Sequence, residues 1–217
     1  MSFFLFSCKI RRDNFKVIER KKWDKTEYPG NKSIYKYKKK PSLILKYIVV
    51  HHSAFSDSPS PAKIQKHQVD KLGFSEIAYH FIIDRAGQVF EGRSILYMGA
   101  HAGQTKEANQ KADSIRAGKC KSIIENALML DPDYGAIGIC IDGNFNFQYP
   151  NSSQLLSLQN LLVYLMNKFD IKKKNILLHK EVKKRLIENK GLTFIGEETE
   201  CPGNLGVPLI NSILSKL

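Results

Sequence analysis

Short apolar runs rich in β-branched residues recur along this 217-residue chain and constrain its fold more than any other feature. One run covers residues 47–50 and ends in two histidines, and similar runs cover residues 78–83 and 136–141. Continuous apolar runs of this length are typical of strands that are buried on both faces of a sheet. Segments with helical spacing separate them, and alternating strands and helices indicate an α/β fold. We therefore expect a single domain with a central mixed β-sheet flanked by helices.

The helix predicted over residues 151–169 has the clearest pattern. Its apolar residues recur at spacings of three and four, and Asn151 and Gln154 are placed as a capping box. A glycine-containing link at residues 84–87 favours a hairpin between its flanking strands. In all, we predict strands over 47–50, 78–83, 88–90, 136–141 and 175–178, and helices over 61–72, 122–130, 151–169 and 206–217.

Length and composition favour one domain without a membrane span. No apolar run approaches the ~20 residues that a membrane-spanning helix requires. We assign residues 17–217 to the domain, with a charged insertion at about 104–134. Residues 1–16 form either an N-terminal tail or the remnant of an export signal, such as a truncated lipoprotein signal at Cys8.

The formal net charge of +13 implies attraction to a polyanion such as nucleic acid, anionic lipid or a phosphate-bearing wall polymer. The lysine clusters have few interleaved aromatic residues of the kind that stack on bases, which argues against a specific nucleic-acid site. Two interpretations stay open, a solvated basic surface and a site for an anionic polymer. The four cysteines are too few and too widely spaced to indicate a disulfide framework.

Histidine and cysteine residues provide the candidate chemistry. His51 and His52 end one predicted strand, His179 ends another, and Cys201 lies near the C-terminus. Catalytic zinc takes three protein ligands, commonly imidazole or thiolate, and leaves a fourth position for water. Because side chains alternate along a strand, only one of the adjacent histidines can join such a site. The residues alone leave open unrelated structural roles, or a cysteine hydrolase that uses Cys201 with His179.

Six short motifs follow one another along the chain. They are IVVHHSA (48–54), AYHFII (78–83), VFEGR (89–93), GAHA (99–102), IGI with GNF (137–139 and 143–145) and TECPG (199–203). In this order they resemble the type 2 N-acetylmuramoyl-L-alanine amidase and peptidoglycan recognition protein family, which includes the phage lysozymes that are amidases. An Arg-x-x-Trp lead-in at residues 20–23 extends the resemblance to roughly residues 17–205. Six ordered motifs are more specific than any one alone.

The resemblance implies a fold, an activity and a set of site residues. The fold is a central mixed sheet flanked by helices. The activity is zinc-dependent hydrolysis of the amide between N-acetylmuramic acid and L-alanine in peptidoglycan or muropeptides. Carried over to matching positions, the family's zinc ligands fall on His51, His179 and Cys201, its catalytic residues on Tyr79 and Thr199, and its substrate-binding residues on His101, Arg93 and Asn144.

Two features depart from the family pattern. Some cytosolic relatives have a glutamate general base just after the Ile-Gly-Ile run, where this chain has Cys140. We expect either no carboxylate base or another residue such as Glu91. The family passes almost directly from His-Ala to the Ile-Gly-Ile strand, whereas here residues 104–134 intervene. We expect them to form a partly helical flap at the rim of the groove that controls substrate choice, with a neutral surface insertion as the alternative.

A non-catalytic recognition module that only binds wall fragments is the rival within the family. Inactive members typically replace the cysteine ligand by a residue such as serine, whereas Cys201 is retained, so we predict an enzyme. The expected partners are peptidoglycan or muropeptides and, through the basic surface, anionic wall polymers, but no specific nucleic acid. We expect a monomer located in the cell envelope or secreted.

Overall fold

The computed structural model describes residues 16–25, 34–110, 126 and 128–217. Within these ranges the strands are β1 (Val17–Ile18), β2 (Tyr47–His52), β3 (Phe81–Ile83), β4 (Val89–Glu91), β5 (Gln104–Thr105), β6 (Ala136–Ile141), β7 (Ile176–Leu178) and β8 (Phe194–Ile195). The α-helices are α1 (Arg20–Trp23), α2 (Pro41–Ile44), α3 (Pro61–Leu72), α4 (Ser152–Phe169), α5 (His179–Val182) and α6 (Gly206–Ser215). Shorter helical turns cover Lys173–Asn175, Lys183–Ile187 and Glu188–Lys190. In the described part of the chain no helix is both long and apolar enough to cross a membrane.

A mixed sheet with the strand order β1-β4-β3-β6-β2-β7 forms the centre of the fold. β3 and β4 are antiparallel, and every other neighbouring pair is parallel. The central strands β6 and β2 are almost entirely buried, which explains why they have continuous apolar sequences. β5 and β8 form a separate antiparallel pair. The predicted α/β fold with a central mixed sheet flanked by helices is confirmed.

Helices α4 and α6 cover one face of the sheet. The Asn151 and Gln154 side chains form the predicted capping box at the start of α4. From there the helix turns one leucine-rich side toward the sheet, and residues such as Leu158 and Leu162 are completely buried. They pack against the even-numbered side chains of β2, including Ile48 and Val50. The other face of β2 carries Val49, which packs in a second apolar cluster, and His51, which belongs to the functional site.

Helix α3 covers the opposite face. It begins at Ser60, whose side chain accepts a hydrogen bond from the Lys63 amide, and it ends at Gly73 in the left-handed conformation (φ 71°). Its buried Ile64 packs against Ile82 of β3 and Cys140 of β6. This packing holds β3 and the segment before it against the sheet, on the same face as His51.

The described part of the N-terminal segment, residues 16–25 and 34–45, is more ordered than its sequence indicates. Residues 1–45 read as an extended segment, but β1 adds a strand to the sheet edge by pairing with β4. Arg20 forms an ion pair with Glu76 at 2.7 Å, and the Trp23 indole donates to the Glu91 carbonyl at 2.8 Å. The helix predicted over 122–130 and the tail at 1–15 lie largely or wholly outside the described residues.

The first predicted hairpin strand is shorter than expected. Residues 78–83 were expected to form it, but the ladder begins only at Phe81. The Ala78 amide instead donates to the Gln68 side chain at 2.9 Å, and the His80 amide donates to the Gly138 carbonyl at 3.0 Å. Residues 78–80 thus approach β6 without completing a strand, which leaves the Tyr79 side chain beside the functional site.

Candidate metal centre

Three metal-binding side chains meet at one edge of the sheet. His51 lies at the carboxyl end of β2, and His179 directly follows β7, the parallel neighbour of β2. The carboxyl ends of parallel strands lie at the same edge, which is where ligands bind in open α/β sheets. Cys201 reaches this edge from the loop between β8 and α6. The donor atoms of the three residues all lie within 4.8 Å of one another, so together they could hold a metal ion.

His51 occupies the middle of this group. Its Nδ1 atom lies 3.8 Å from the Cys201 Sγ atom, and its ring centroid lies 4.4 Å from that of His179. His51 is also almost fully buried, with 1% of its surface exposed. The ring therefore turns its Nδ1 atom toward the other two donors and its Nε2 atom toward the protein interior.

Hydrogen bonds fix the loop that carries Cys201. The Lys180 amide donates to the Cys201 carbonyl at 2.9 Å, and the Cys201 amide donates to the Thr199 hydroxyl at 3.1 Å. The His52 amide lies 3.4 Å from the Cys201 Sγ atom and donates to it. The loop is thus attached to both α5 and β2.

Burial sets the protonation of the three side chains. It lowers the pKa of His51 well below the usual value for histidine and lowers the pKa of His179 to about 4. Both imidazoles are therefore neutral at pH 7, as metal ligands must be. Burial raises the pKa of the Cys201 thiol to about 12, although the His52 amide partly opposes this. At neutral pH a cation would have to displace the thiol proton in order to bind.

His52 lies on the other face of the sheet, as strand alternation predicts. Its Nδ1 atom accepts a hydrogen bond from the Phe145 amide at 3.0 Å, and its ring centroid lies 5.8 Å from the Phe145 ring. Burial lowers the pKa of His52 to about 4, so it is neutral at pH 7. Its side chain supports the loop after β6 and takes no part in the cluster.

Tyr79 lies beside the three ligands. Its ring centroid is 5.2 Å from that of His51, and none of the hydrogen bonds among the described residues uses its hydroxyl. Burial raises the pKa of Tyr79 well above its usual value, and the nearby Cys140 and Cys201 thiols act in the same direction. The hydroxyl therefore stays protonated and is available as a hydrogen-bond donor next to the metal-binding group.

His101 packs behind His51 in a niche formed by two glycines. Its Nδ1 atom lies 3.1 Å from the His51 Nε2 atom. A Cβ atom on Gly138 would lie 2.3 Å from the His101 Cδ2 atom, and one on Gly99 would lie 2.6 Å from it. Burial is the largest of the causes that lower the pKa of His101 to about 3. The expected contact between His101 and substrate does not follow from this placement, because the ring is buried and its nitrogens face protein groups.

Asp133 adjoins His101 and was not identified from the sequence. Its Oδ1 atom accepts hydrogen bonds from the His101 amide at 2.9 Å and the Ala102 amide at 3.1 Å, and it lies 3.4 Å from the His101 Nε2 atom. In the sequence, Asp133 belongs to an Asp-Pro-Asp segment that reads as a turn. Asp133 lies three residues before the start of β6, and no motif in the sequence marks it.

Asp131 and Asp133 form a coupled pair of carboxyl groups. The Asp133 amide donates to the Asp131 Oδ1 atom at 2.9 Å. Burial, together with the charge on Asp133, raises the pKa of Asp131 to about 8. Burial also raises the pKa of Asp133, but hydrogen bonds from the His101 and Ala102 amides oppose this effect. Burial therefore disfavours ionisation of both carboxyl groups, and most strongly when the other one is charged.

Thr199 lines a cleft of about 370 Å³ next to His179. The Thr199 oxygen accepts the Cys201 amide hydrogen, so its own hydrogen is free to donate to a ligand. The cleft is also lined by charged side chains of both signs, which are Lys180, Lys183, Lys184, Glu188, Glu197, Glu198 and Glu200. A ligand bound here would therefore meet both cationic and anionic groups beside the metal-binding cluster.

Arg93, which the family resemblance predicts to bind substrate, lies in the protein interior. It is only 3% exposed and forms an ion pair with Glu76 at 3.1 Å. Its guanidinium donates to the Ile77 carbonyl at 3.0 Å and the Met98 carbonyl at 2.7 Å, while its backbone amide donates to the Tyr79 carbonyl at 2.8 Å. Because these partners occupy the guanidinium, Arg93 supports the segment that carries Tyr79.

Asn144 lies in the loop after β6, at the same edge of the sheet as the cluster. Its side-chain oxygen accepts the Asn146 amide hydrogen at 3.2 Å. The Asn146 side chain in turn accepts a hydrogen bond at 3.2 Å from the Asn204 amide, three residues beyond Cys201. Asn144 is partly exposed, so the predicted contact with substrate stays a prediction.

Both described ends of the insertion lie near the site. Its first residues form β5, which pairs with β8 at the side of the cleft lined by Phe194. Its last residues include Asp133, which contacts His101. The Thr105 hydroxyl joins the two ends by donating to the Leu130 carbonyl at 2.9 Å. The predicted flap therefore starts and finishes beside the cluster, while residues 111–125 lie outside the described part.

Comparison with known proteins gives consistent matches. The profile of the N-acetylmuramoyl-L-alanine amidase family matches residues 39–204. Peptidoglycan-recognition protein SC2 of Drosophila melanogaster is 27% identical over 195 residues, which cover 86% of this chain and 80% of that protein. The structure of the N-acetylmuramoyl-L-alanine amidase LysC from Clostridium intestinale aligns with a TM-score of 0.59 at 26% identity, over 93% of this chain and 96% of LysC. A Drosophila PGRP-LB mutant in complex with tracheal cytotoxin shares the fold, with a TM-score of 0.59 at 18% identity over 93% and 96% of the two chains.

Proposed function

This chain belongs to the N-acetylmuramoyl-L-alanine amidase family, and we propose that it is an active, zinc-dependent member. Its reaction would be hydrolysis of the amide that joins N-acetylmuramic acid to L-alanine. The observation that supports this proposal best is the group formed by His51, His179 and Cys201, whose donor atoms converge at the carboxyl edge of the sheet. Three protein ligands with a fourth position left open are typical of catalytic zinc sites.

The geometry of the three donors fits zinc. Tetrahedral coordination with ordinary Zn–N and Zn–S bond lengths separates a nitrogen from a sulfur ligand by about 3.6 Å. The His51 Nδ1 atom lies 3.8 Å from the Cys201 Sγ atom, and no pair in the group exceeds 4.8 Å. Shifts of a few tenths of an ångström to about one ångström would therefore complete the site. Two neutral imidazoles and a thiol that can ionise are also donors that zinc prefers.

The residues around this group suit amide hydrolysis. When bound, zinc lowers the pKa of a water ligand to about 7 and polarises a carbonyl group. Tyr79 keeps its proton because its pKa is raised, so its hydroxyl can donate a hydrogen bond to the negative charge that develops on the amide oxygen. The Thr199 hydroxyl lines the adjoining cleft and can donate a second hydrogen bond. Partial burial strengthens both interactions by excluding water.

We propose peptidoglycan or its muropeptide fragments as the substrate. The related structure in complex with tracheal cytotoxin and the related LysC amidase support this class of substrate. The cleft beside His179 presents lysine and glutamate side chains, which could pair with the carboxylates and amines of a stem peptide. Because such a substrate lies in the bacterial envelope, we also propose that the protein acts in the cell envelope or after secretion.

Binding of wall fragments without hydrolysis is the alternative. The recognition proteins among the relatives favour it, since their names describe recognition. The intact set of three donors favours hydrolysis, because a recognition module needs no convergent His, His and Cys group. The two alternatives differ in whether the amide bond is broken.

The test is digestion of purified peptidoglycan by the full chain, with and without a chelator, followed by mass spectrometry of the released peptides. We expect peptides with a new free L-alanine amine, and we expect the chelator to abolish their release. Cys201→Ser should abolish both activity and metal binding, whereas Cys140→Ser, a change at a buried thiol outside the group of three donors, should retain both. Binding of peptidoglycan by a zinc-loaded protein that releases no peptide would reject the enzyme proposal in favour of recognition.

A further inference from the structure

We propose that Asp133 is a positioning residue that acts through His101 to hold the first metal ligand, His51, in the orientation needed for binding. The proposal rests on the zinc site described above and adds two residues behind it. It concerns which imidazole nitrogens of His101 and His51 carry a proton in the row of contacts from Asp133 through His101 to His51. Each step of that row is defined by contacts in the structure.

The first step follows from the orientation of His51. Its Nδ1 atom faces Cys201 at 3.8 Å and must carry a free lone pair in order to bind a metal. A neutral imidazole has a proton on only one of its nitrogens, so the His51 Nε2 atom must carry it. That atom lies 3.1 Å from the His101 Nδ1 atom, and His51 is therefore the donor of this hydrogen bond.

The second step assigns the proton of His101. Because its Nδ1 atom accepts from His51, its Nε2 atom must be the protonated one. This Nε2 atom is fully buried and lacks a hydrogen-bond partner of normal geometry among the described residues. The Asp133 Oδ1 atom lies 3.4 Å from it. A small rotation of either side chain would convert this contact into a hydrogen bond to the carboxyl oxygen.

The third step shows that Asp133 is held in place for this contact. It is 4% exposed, and its Oδ1 atom accepts the His101 and Ala102 backbone amides. A carboxylate with two backbone donors has little freedom to turn away. The His101 ring is equally confined, since Gly99 and Gly138 leave just enough room for it. Both partners are thus held close to each other, within the reach of a small side-chain rotation.

His80 provides a useful contrast. It lies beside His101, with ring centroids 5.7 Å apart, and is also completely buried. Its Nδ1 atom accepts the Gly138 amide at 3.0 Å, and its Nε2 atom lies 3.1 Å from the Tyr97 carbonyl. Backbone groups therefore satisfy both nitrogens of His80. Of these two neighbouring histidines, only His101 links a carboxylate to a metal-binding residue.

A buried N–H group without an acceptor is destabilising, so the Asp133 contact stabilises one tautomer of His101. That tautomer is the one that accepts from His51 and leaves the His51 Nδ1 atom free. Groups that orient metal ligands in this way typically change metal affinity by 10- to 100-fold when they are removed. The backbone carbonyl of Ala136 is a competing acceptor near the His101 ring, and the test must separate the two.

The experiment measures the zinc dissociation constant of the full chain by competition with a chromophoric chelator. Asp133→Asn keeps the Oδ1 acceptor of the two backbone amides and replaces the other carboxyl oxygen by an amide group, so it tests whether a full carboxyl group is needed beside His101. We expect zinc to bind 10- to 100-fold more weakly, with the melting temperature of the metal-free protein close to wild type. His101→Leu leaves Asp133 in place and should weaken zinc binding by a similar factor. The matched control is Asp142→Asn, because Asp142 is a completely buried carboxylate that bonds Ser53 instead of a histidine.

Nuclear magnetic resonance of ¹⁵N-labelled histidines provides a measurement that would not change if Asp133 had a purely structural role. In the zinc-loaded wild type we expect protonated Nε2 atoms on both His51 and His101, and in Asp133→Asn a mixture of His101 tautomers. Zinc affinity within twofold of wild type in both variants overturns the proposal. An equal loss of zinc affinity in Asp142→Asn also overturns it. So does a lower melting temperature of Asp133→Asn with unchanged zinc affinity. If only this proposal fails, the wild-type protein still binds zinc and hydrolyses its substrate. If the proposed function fails, the wild-type protein itself does not.

Discussion

Replacing Gly138 by alanine tests the niche that holds His101. Gly138 lies in the middle of β6, and its φ angle is outside the left-handed region, so the backbone itself accepts alanine. The added Cβ atom would lie 2.3, 2.5 and 2.7 Å from three atoms of the His101 ring. Ordinary contacts between carbon atoms are about 3.5–4.0 Å, so the overlap exceeds one ångström. The ring must therefore move.

The structure limits where the ring can go. The His101 side chain has no exposed surface, and Gly99 closes the niche on its other side. Inserting a methyl group into a packed interior costs about 1–3 kcal/mol and occasionally more. For a domain of this size, that corresponds to a fall in melting temperature of roughly 2–12 °C. Since the displaced ring loses its 3.1 Å contact with His51, we also expect zinc to bind at least ~10-fold more weakly.

Calorimetry of the metal-free protein and zinc competition measurements provide the two readouts. The control is Gly73→Ala at the end of α3, where a Cβ atom meets nothing within 4 Å but the φ angle of 71° strains any other residue. It should lower the melting temperature by a comparable amount and leave zinc affinity unchanged. If Gly138→Ala keeps wild-type stability and zinc affinity, the ring does not occupy the niche described here and the reasoning fails.

Three further predictions concern catalysis, pH and the insertion. Tyr79→Phe should lower kcat by about 10²- to 10³-fold with zinc content and KM nearly unchanged, and steady-state kinetics that show a change in KM alone would contradict its role. Because folding raises the pKa of Asp131 to about 8, the carboxyl group favours the folded state least above that pH. Asp131→Asn should therefore raise the melting temperature at pH 8 more than at pH 5, and an equal change at both would contradict the assignment. Replacing residues 107–128 by a Gly/Ser linker, with Asp133 retained, should change the ratio of activities on intact wall and small muropeptides, and an unchanged ratio would rule out a part in substrate choice.

Elements whose signals are local were predicted closely. The bounds of α3 and β6 agree with prediction, because a proline after a serine cap starts the helix and a buried apolar run defines the strand. The capping box predicted the start of α4 at Ser152. The short strand β1 was not predicted, because two residues carry no periodic signal and its pairing with β4 spans more than 70 positions in sequence.

The site shows the same division between local and distant information. His51, His179 and Cys201 could be proposed because family motifs surround them, and the structure brings their donor atoms together. A motif does not reveal which way a side chain points, and Arg93 turns toward Glu76 and the protein interior. Asp133 lies 32 positions from the histidine it contacts, so no local pattern could identify it. Its role depends on how the end of the insertion folds back on the sheet.

Titration of the metal-stripped protein with zinc tests the central claim most directly. The rate at which free L-alanine amine appears from a purified muropeptide would be recorded at each addition. We predict that this rate is negligible without zinc, rises in proportion to added zinc and saturates at one equivalent, and that Cys201→Ser shows no rise. Amine release that is independent of zinc, or its complete absence at one bound equivalent, would contradict the account.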